Sequence, residues 1–462
     1  MKKDILVKDI LNICKGKLIC GNEEEICKNF SRDSREINVG DIYLGIKGER
    51  FNGSDFYKEA FEKGAKGCIL QDIEISKEDI NTYNDKFIII VENVVDALQK
   101  IAKYKRSLYD IPVIGITGSV GKTSTKDIIA SVMATKYNVL KTQGNYNNEI
   151  GLPLTVLELK EHDALVLEMG MSAFGEISLL TDIAKPTTAV VTIIGSSHIG
   201  ELGSRENILK AKLEILEGLN EDGALIINND NDLLNLWNKE NLDNHKHITY
   251  GIENKSTLNA YNIEIKENGS LFEIEINNIV YTVEVPVAGK HFIYNSLAAI
   301  AVGLENNIEM EKIIEGISNF SLTKRRMEII KNSNNVTIIN DCYNASYESV
   351  KAALEYLASL KASRKIAVLG DVLELGEFSK QMHQKMGEEV ASNNIDILVT
   401  VGKEAKAIAD VAKDKCENIE TYSFDNNIDA SNLLKQIMKE NDVILVKASN
   451  GMHFEEIVES IK

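Results

Sequence analysis

The sequence predicts an α/β protein in three parts: a small N-terminal α/β domain, a central P-loop ATPase-like, mostly parallel sheet, and a C-terminal Rossmann-like, doubly wound domain. Three observations predict it. Short apolar runs alternate with helical stretches along most of the chain, as in parallel sheets covered on both faces. A glycine loop joins one such run, Ile111–Ile116, to a helical stretch opened by Lys122-Thr123. The strand–helix alternation then restarts near residue 321, after a segment that reads as an antiparallel hairpin. The divisions are expected at 1–110, 111–320 and 321–462, and 462 residues suit about three domains.

In the first part, Ile5–Cys14 has helical apolar spacing. Gly40–Ile46, Gly64–Leu70 and Lys86–Val91 read as strands with their turns. Phe51–Phe56 is a turn flanked by aromatics. Ser34-Arg35, within Ser31-Arg32-Asp33-Ser34-Arg35, suits either a phosphate or uracil group or a plain turn with a solvated arginine.

The second part opens on IPVIGITGSVGKTSTK, Ile111–Lys126. A buried strand, the loop Thr117-Gly118-Ser119-Val120-Gly121 and a helix through Met133 make a phosphate cradle. Its backbone N–H groups and the helix N-terminus face an anion, Lys122 meets the β/γ-phosphates, and the Thr123 hydroxyl can hold Mg²⁺. The common spacing would put a glycine at Ile116. The shorter T-G-x-x-G-K-T found here points away from small GTPases and towards ATP-dependent ligases that activate a carboxylate.

Gln143–Gly151 is rich in amides and glycines, suited to a polar ligand or to turns. Ala164–Glu168 is an apolar strand ending in a carboxylate. Ligands of doubly wound sheets sit at such ends, so Glu168 is a metal-binding candidate, with a helix cap as the alternative. After the strand Pro186–Ile194 comes His198, either structural or a metal ligand. Arg205–Leu216 is helical, and composition alone does not single out Lys212 on it. Gly223–Asn228 and His247–Tyr250 read as strands, and Ala260–Val285 as a hairpin about Asn268-Gly269. Gly289–Leu304 is helical. It puts His291 and Asn295 on one face, where Asn295 either reads an adenine edge or caps.

In the third part, Val336–Ile339, Lys365–Leu369, Ile395–Val401 and Val443–Val446 read as strands with helices between. No G-x-G-x-x-G follows any of them, which excludes a dinucleotide-dependent dehydrogenase.

Composition narrows the function classes. The formal charge of −18 argues against duplex nucleic acid or an anionic membrane as the partner. Neither an N-terminal apolar signal core nor a run of about 20 apolar residues is present, so the expectation is a cytoplasmic chain without membrane insertion. Six cysteines form no C-x-x-C pair. The spacings of Cys14, Cys20 and Cys27 fit no usual zinc pattern, and free thiols are expected.

Taken in order, DSREINVGDIYLGIKGE, TGSVGKTSTKD, GNYNNEIGLP, LEMG, AGKHFIYNSLAAIAVGLE, RRMEII, NDCYNASYESV, VLGDVLELGE and LVKASNGM make the chain resemble the Mur ligases, the peptide-adding synthetases of bacterial peptidoglycan assembly. The resemblance spans nearly the whole chain. It is nearest the branch that adds D-alanyl-D-alanine to UDP-N-acetylmuramoyl-tripeptide.

The resemblance implies an ATP-dependent amide ligase forming ADP and phosphate, acting in cell-wall synthesis, cell shape and division, with ATP and two Mg²⁺ ions and working as a monomer. It implies that the loop Thr117–Gly121 and Lys122 hold the phosphates, and that Thr123, Glu168 and His198 hold metal. Lys212, in AKLEI, matches the lysine that the family carbamylates into an oxygen ligand. Asn295 would contact adenine, and Arg326 and Asp341 phosphate and ribose. Ser34 and Arg35 would hold the UDP-sugar, and Asn145 and Asn148 would line the cleft. Three departures stand out: Asn52–Phe56 where the family has DGHDF, Tyr343–Tyr347 where it has YNANP, and Asn450 where arginine is common. The runner-up readings are an earlier-step Mur ligase, a folylpolyglutamate-type ligase, or a nucleotide switch that hydrolyses ATP without ligation.

Overall fold

The computed structural model describes residues 4–240, 244–266 and 269–462. Three main sheets succeed one another along the chain, each flanked by helices. The first, in spatial order, is Lys17–Cys20, Phe87–Ile90, Gly67–Leu70, Ile42–Leu44 and Phe30–Ser31. Its pairings are parallel except that of Lys17–Cys20 with Phe87–Ile90.

The second sheet has nine strands and carries the cradle. Val113–Thr117 lies in its interior, between Thr188–Val191 and Ala164–Glu168, with Val139–Lys141 at the edge beyond. On the other side follow Ala224–Asn228, Lys246–Gly251 and Leu258–Lys266, all parallel. Every residue of Val113–Thr117 and of Ala164–Glu168 is buried, which accounts for their near-continuous apolar sequences. Register brings Glu168 opposite Ile116, and Val191 opposite Thr117, so the carboxyl ends of three strands share one edge. The chain leaves the cradle strand towards Val139–Lys141 and, after Ala164–Glu168, crosses to Thr188–Val191 on its other side, and that edge is the switch point where open α/β sheets bind ligands.

The hairpin expectation is enlarged. Gly269–Ile276 pairs antiparallel with both Leu258–Lys266 and Ile279–Val285, giving three antiparallel strands where two were expected. The unexpected turn is Asn277-Asn278, at φ 52° and 64°. Two adjacent left-handed residues make the turn whose twist suits a tight hairpin, and asparagine tolerates that conformation best after glycine. Asn268, in the expected turn, lies outside the described residues.

The third sheet runs Glu328–Lys331, Thr337–Asn340, Asp442–Lys447, Arg364–Gly370, Ile397–Val401 and Glu420–Phe424, parallel except at the first pair. Glu328–Lys331 and Glu420–Phe424 are edge strands that sequence reading passed over. One side of each is unpaired and half their residues are polar, so the apolar signal is weak. All six cysteines are free thiols. Among the described residues no helix is long and apolar enough to cross a membrane.

Candidate active site

The cradle loop leaves the strand at Thr117 and enters the helix Lys122–Met133 through Gly121 at φ 85°. Gly118 sits at φ 147°, and a Cβ there would fall 1.9 Å from Thr192 Oγ1. Only glycine fits so close to the neighbouring strand. Lys122 Nζ donates to Gly118 O at 2.7 Å, folding the lysine over the loop. Burial pushes the Lys122 amine below its ordinary value. Glu168 works against that shift, and Arg326 adds to it.

Thr123 Oγ1 is the meeting point of three segments. It donates to Glu168 Oε2 at 2.8 Å and accepts from Arg326 Nη2 at 2.9 Å. Glu168 Oε1 accepts from Asn147 Nδ2 at 2.8 Å, and Glu168 N donates to Thr142 Oγ1. Sequence reading named Asn145 and Asn148 and passed over Asn147 between them. Three asparagines within four residues look alike in sequence, and only the loop's path says which one reaches the carboxylate. Asn148 Oδ1 accepts at 2.9 Å from the N–H of Gly151, the first residue of the next helix, while Asn148 and Asn145 both border the cleft.

A cleft of about 660 Å³ gathers most of the candidates. Its walls include Ser119–Thr123, Asn145, Asn148, Glu168, His198, Asn295, Arg326 and Asp341. Asn295 Oδ1 accepts from Thr125 Oγ1 at 3.1 Å, which sets its amide beside Gly121. His198, at φ 63°, places Nδ1 2.8 Å from Glu374 Oε2 of the C-terminal unit. That contact holds the Glu374 carboxyl below the usual carboxylate range, against the opposing effect of burial. Arg326 lies 4.2 Å above the Tyr343 ring. Asp341 Oδ2 is 2.5 Å from the buried Lys447 Nζ, and its Oδ1 accepts from Met327 N. Burial pushes His291, on the same wall, down to about 4, with Asp341 opposing and Lys447 reinforcing the shift.

Other candidates lie elsewhere. Thr117 is wholly buried beneath the loop and Gly118 is covered by Lys122, so the cleft wall begins at Ser119. Lys212 is 1% exposed behind the wall. Burial, reinforced by Lys122, pushes its amine well below the ordinary value. Ser34 donates to Glu59, and the exposed Arg35 is clasped in two-point fashion by Asp33. Neither borders the cleft. Among the described residues no three His, Cys, Asp or Glu side chains converge as a metal cage. What does converge is a set of hard oxygen donors, a lysine and an arginine around one anion-sized loop. That arrangement can hold a polyphosphate and screen its charge.

Comparison with known proteins follows the same lines. Three family models match: "Mur ligase family, catalytic domain" over residues 28–106, "Mur ligase middle domain" over 116–303, and "Mur ligase, glutamate ligase domain" over 325–450. The chain is 40% identical over 458 residues to the UDP-N-acetylmuramoyl-tripeptide–D-alanyl-D-alanine ligase of Bacillus subtilis (strain 168), covering 98% of each. It is 31% identical over 439 residues to the ligase of the same name from Escherichia coli (strain K12), covering 93% of this chain and 92% of the other. Its fold resembles a crystal structure of MurF from Acinetobacter baumannii, with TM-score 0.88 and 27% identity over 100% of this chain and 99% of that one. It also resembles MurF from Thermotoga maritima in complex with ADP, with TM-score 0.82 and 29% identity over 94% and 97%.

Proposed function

The chain belongs to the Mur ligase family, and from that membership we propose that it joins D-alanyl-D-alanine to UDP-N-acetylmuramoyl-tripeptide. ATP drives the reaction, which forms ADP and phosphate. The observation that carries the reading is the triple contact at Thr123: the cradle, a strand-end carboxylate and an arginine from beyond residue 321 meet at one hydroxyl. A switch protein needs the cradle. A ligase also needs a second wall to bring in an acceptor, and Arg326, Asp341 and Asn344 supply one.

In the proposed chemistry the tripeptide carboxylate attacks the γ-phosphorus and ADP leaves. The dipeptide amine then attacks the acyl carbon and expels phosphate, so a poor leaving group has become a good one. Lys122 and Arg326 offset repulsion between two anions, and the cradle amides hold the phosphates in line. Enclosure between the cradle and the C-terminal wall excludes the water that would hydrolyse the acyl phosphate.

Mg²⁺ suits the donors present. It takes oxygen ligands and is usually held by one or two carboxylates together with substrate phosphates, so a full protein cage is not required. Thr123 and Glu168 would hold one ion; a second would be held mainly by phosphate and water oxygens, with His198 as its one nitrogen donor, and bound Mg²⁺ would neutralise phosphate charge. Lys212 fits metal chemistry only as a carbamate, and its buried, depressed amine supports that modification, since the neutral amine is the form that adds CO₂. The same reading assigns 1–110 to the UDP-sugar, with Ser34 and Arg35, 111–320 to ATP, and 321–462 to closing the site. It takes the chain to act as a cytoplasmic monomer.

The test is phosphate release by purified protein given ATP and UDP-sugar tripeptide, with and without D-alanyl-D-alanine. Release that requires both substrates is expected. Turnover of ATP alone would favour a switch. Tripeptide-dependent turnover indifferent to the dipeptide would favour another ligase of this architecture.

A further inference from the structure

The segment 319–327 joins the helix Met310–Ser318, which packs on the cradle helix, to the first strand of the C-terminal sheet. It runs back along the cradle helix and is fastened at two successive turns, after a contact of the preceding helix in which Ser131 Oγ donates to Gly316 O at 2.7 Å. Asp127 Oδ2 accepts from Thr323 N at 3.1 Å and from Thr323 Oγ1 at 2.8 Å. Thr123 Oγ1 accepts from Arg326 Nη2 at 2.9 Å. Thr123 and Asp127 are four apart and so share a helix face.

These fastenings differ in kind. Thr123 and Arg326 border the cleft, where an anion competes for the arginine. Asp127 and Thr323 do not, and the Asp127 side chain is 2% exposed. Its other oxygen, Oδ1, lies 2.9 Å from Lys141 Nζ and 3.2 Å from Lys126 Nζ. Lys126 in turn donates to Thr142 O, and Thr142 Oγ1 accepts from Glu168 N. Asp127 therefore ties the connecting segment to the core that carries Glu168. Just beyond Thr323 the backbone turns sharply: Arg325 and Met327 stand at φ 63° and 50°, left-handed conformations that non-glycine residues seldom adopt and that mark a built bend.

We propose that Asp127 is a positioning residue: it pins the connecting segment at Thr323, making a fixed pivot about which Arg326 turns from Thr123 to the nucleotide phosphates, carrying the C-terminal wall with it. This rests on the reading that ATP occupies the cradle. A ligand in the cleft breaks the Thr123–Arg326 contact and cannot reach the one four residues further on. Arg326 therefore moves on a short, fixed arm, and the wall that follows it closes in one direction.

The test compares wild type with Asp127→Asn and Thr323→Val. Asp127→Asn keeps shape, but its amide cannot accept from the lysines on one side and from Thr323 on the other. Thr323→Val removes one hydroxyl at a half-buried site. Affinity for a non-hydrolysable ATP analogue, kcat, KM for ATP, melting temperature and amide hydrogen exchange over 320–330 are measured. The expected result is analogue affinity and KM within about twofold of wild type. The expected kcat is roughly 10- to 100-fold lower in Asp127→Asn, and lower by a smaller factor in Thr323→Val, from loss of a hydrogen bond to a charged group. Exchange over 320–330 should rise and no longer respond to the analogue. A Thr323→Val protein with normal kcat and a normal exchange response overturns the pivot, as does a kcat loss that follows melting temperature alone. A wild-type protein that does not bind the analogue overturns the cradle reading itself.

Discussion

Replacing Lys212 by methionine separates stability from chemistry. Lys212 is 1% exposed, and the charge acting on it among the described residues is that of Lys122, which repels it. Its amine lies well below the ordinary lysine value of 10.5, through burial first and Lys122 second. Between the lowered folded value and 10.5 the unfolded chain holds more protons, so stability rises with pH across that window. Below the window the full penalty is present, about 1.4 kcal/mol for each unit of depression. Methionine fills similar space without charge. In CO₂-free buffer at neutral pH, Lys212→Met should melt above wild type, by about 2–4 °C for each kcal/mol removed in a unit of 150–250 residues. Its melting temperature should also depend less on pH. Bicarbonate tests the carbamate directly. The capped side chain is an anion beside Lys122, and a modifier at ten times its dissociation constant adds about 1.4 kcal/mol, or about 3–6 °C. Wild type should gain this and Lys212→Met should not, while Lys212→Met stays nearly inactive. Scanning calorimetry in bicarbonate against chloride at equal ionic strength reads both effects. A wild type indifferent to bicarbonate, or a Lys212→Met protein that melts several degrees lower, would refute the reasoning.

Three further outcomes follow from the geometry. Lys122→Ala should lower kcat by about 10²–10³-fold through loss of a phosphate-facing cation, with an unchanged circular dichroism spectrum; near-normal turnover would remove the cradle from the reaction. Gly118→Ala should destabilise the fold by at least about 1–3 kcal/mol in denaturant titration, because its methyl would meet Thr192 Oγ1 at 1.9 Å on a backbone at φ 147°. His291, held at about 4 by burial, should show no ring titration by NMR between pH 5 and 8. Its folded value is lowered, so its share of stability is intact above the ordinary histidine value and is lost as pH falls towards 4; titration near 6.5 would mean that the ring is open to water.

The parts legible in sequence were those where one local rule decides. The cradle helix was expected to begin at Lys122 and to continue through Met133, and it does, because a glycine loop fixes its start. Glu168 fell at a strand end because an all-apolar run stops there. The resemblance to a family singled out Lys212, which nothing on its own helix distinguishes and which the structure buries. Residues whose role depends on three-dimensional approach stayed hidden. Asn147 is one amide among several. Asp127 reads as an ordinary helix carboxylate until Thr323, almost two hundred positions away, is seen against it. Glu374 reaches His198 only because Gly200 and Gly376 let two backbones nearly touch, with a Cβ on Gly200 falling 2.6 Å from Gly376 N. The Asn277-Asn278 turn carried a local signal, adjacent asparagines between two alternating runs, that a search for Asn-Gly alone passes by.

The central claim is that ATP in this cleft phosphorylates a carboxylate before an amine displaces the phosphate. It is tested most directly with UDP-sugar tripeptide labelled with ¹⁸O in the reacting carboxylate, turned over with ATP and D-alanyl-D-alanine. The account predicts that each phosphate released carries one oxygen from the tripeptide. Phosphate free of label, formed alongside the amide product, would contradict it.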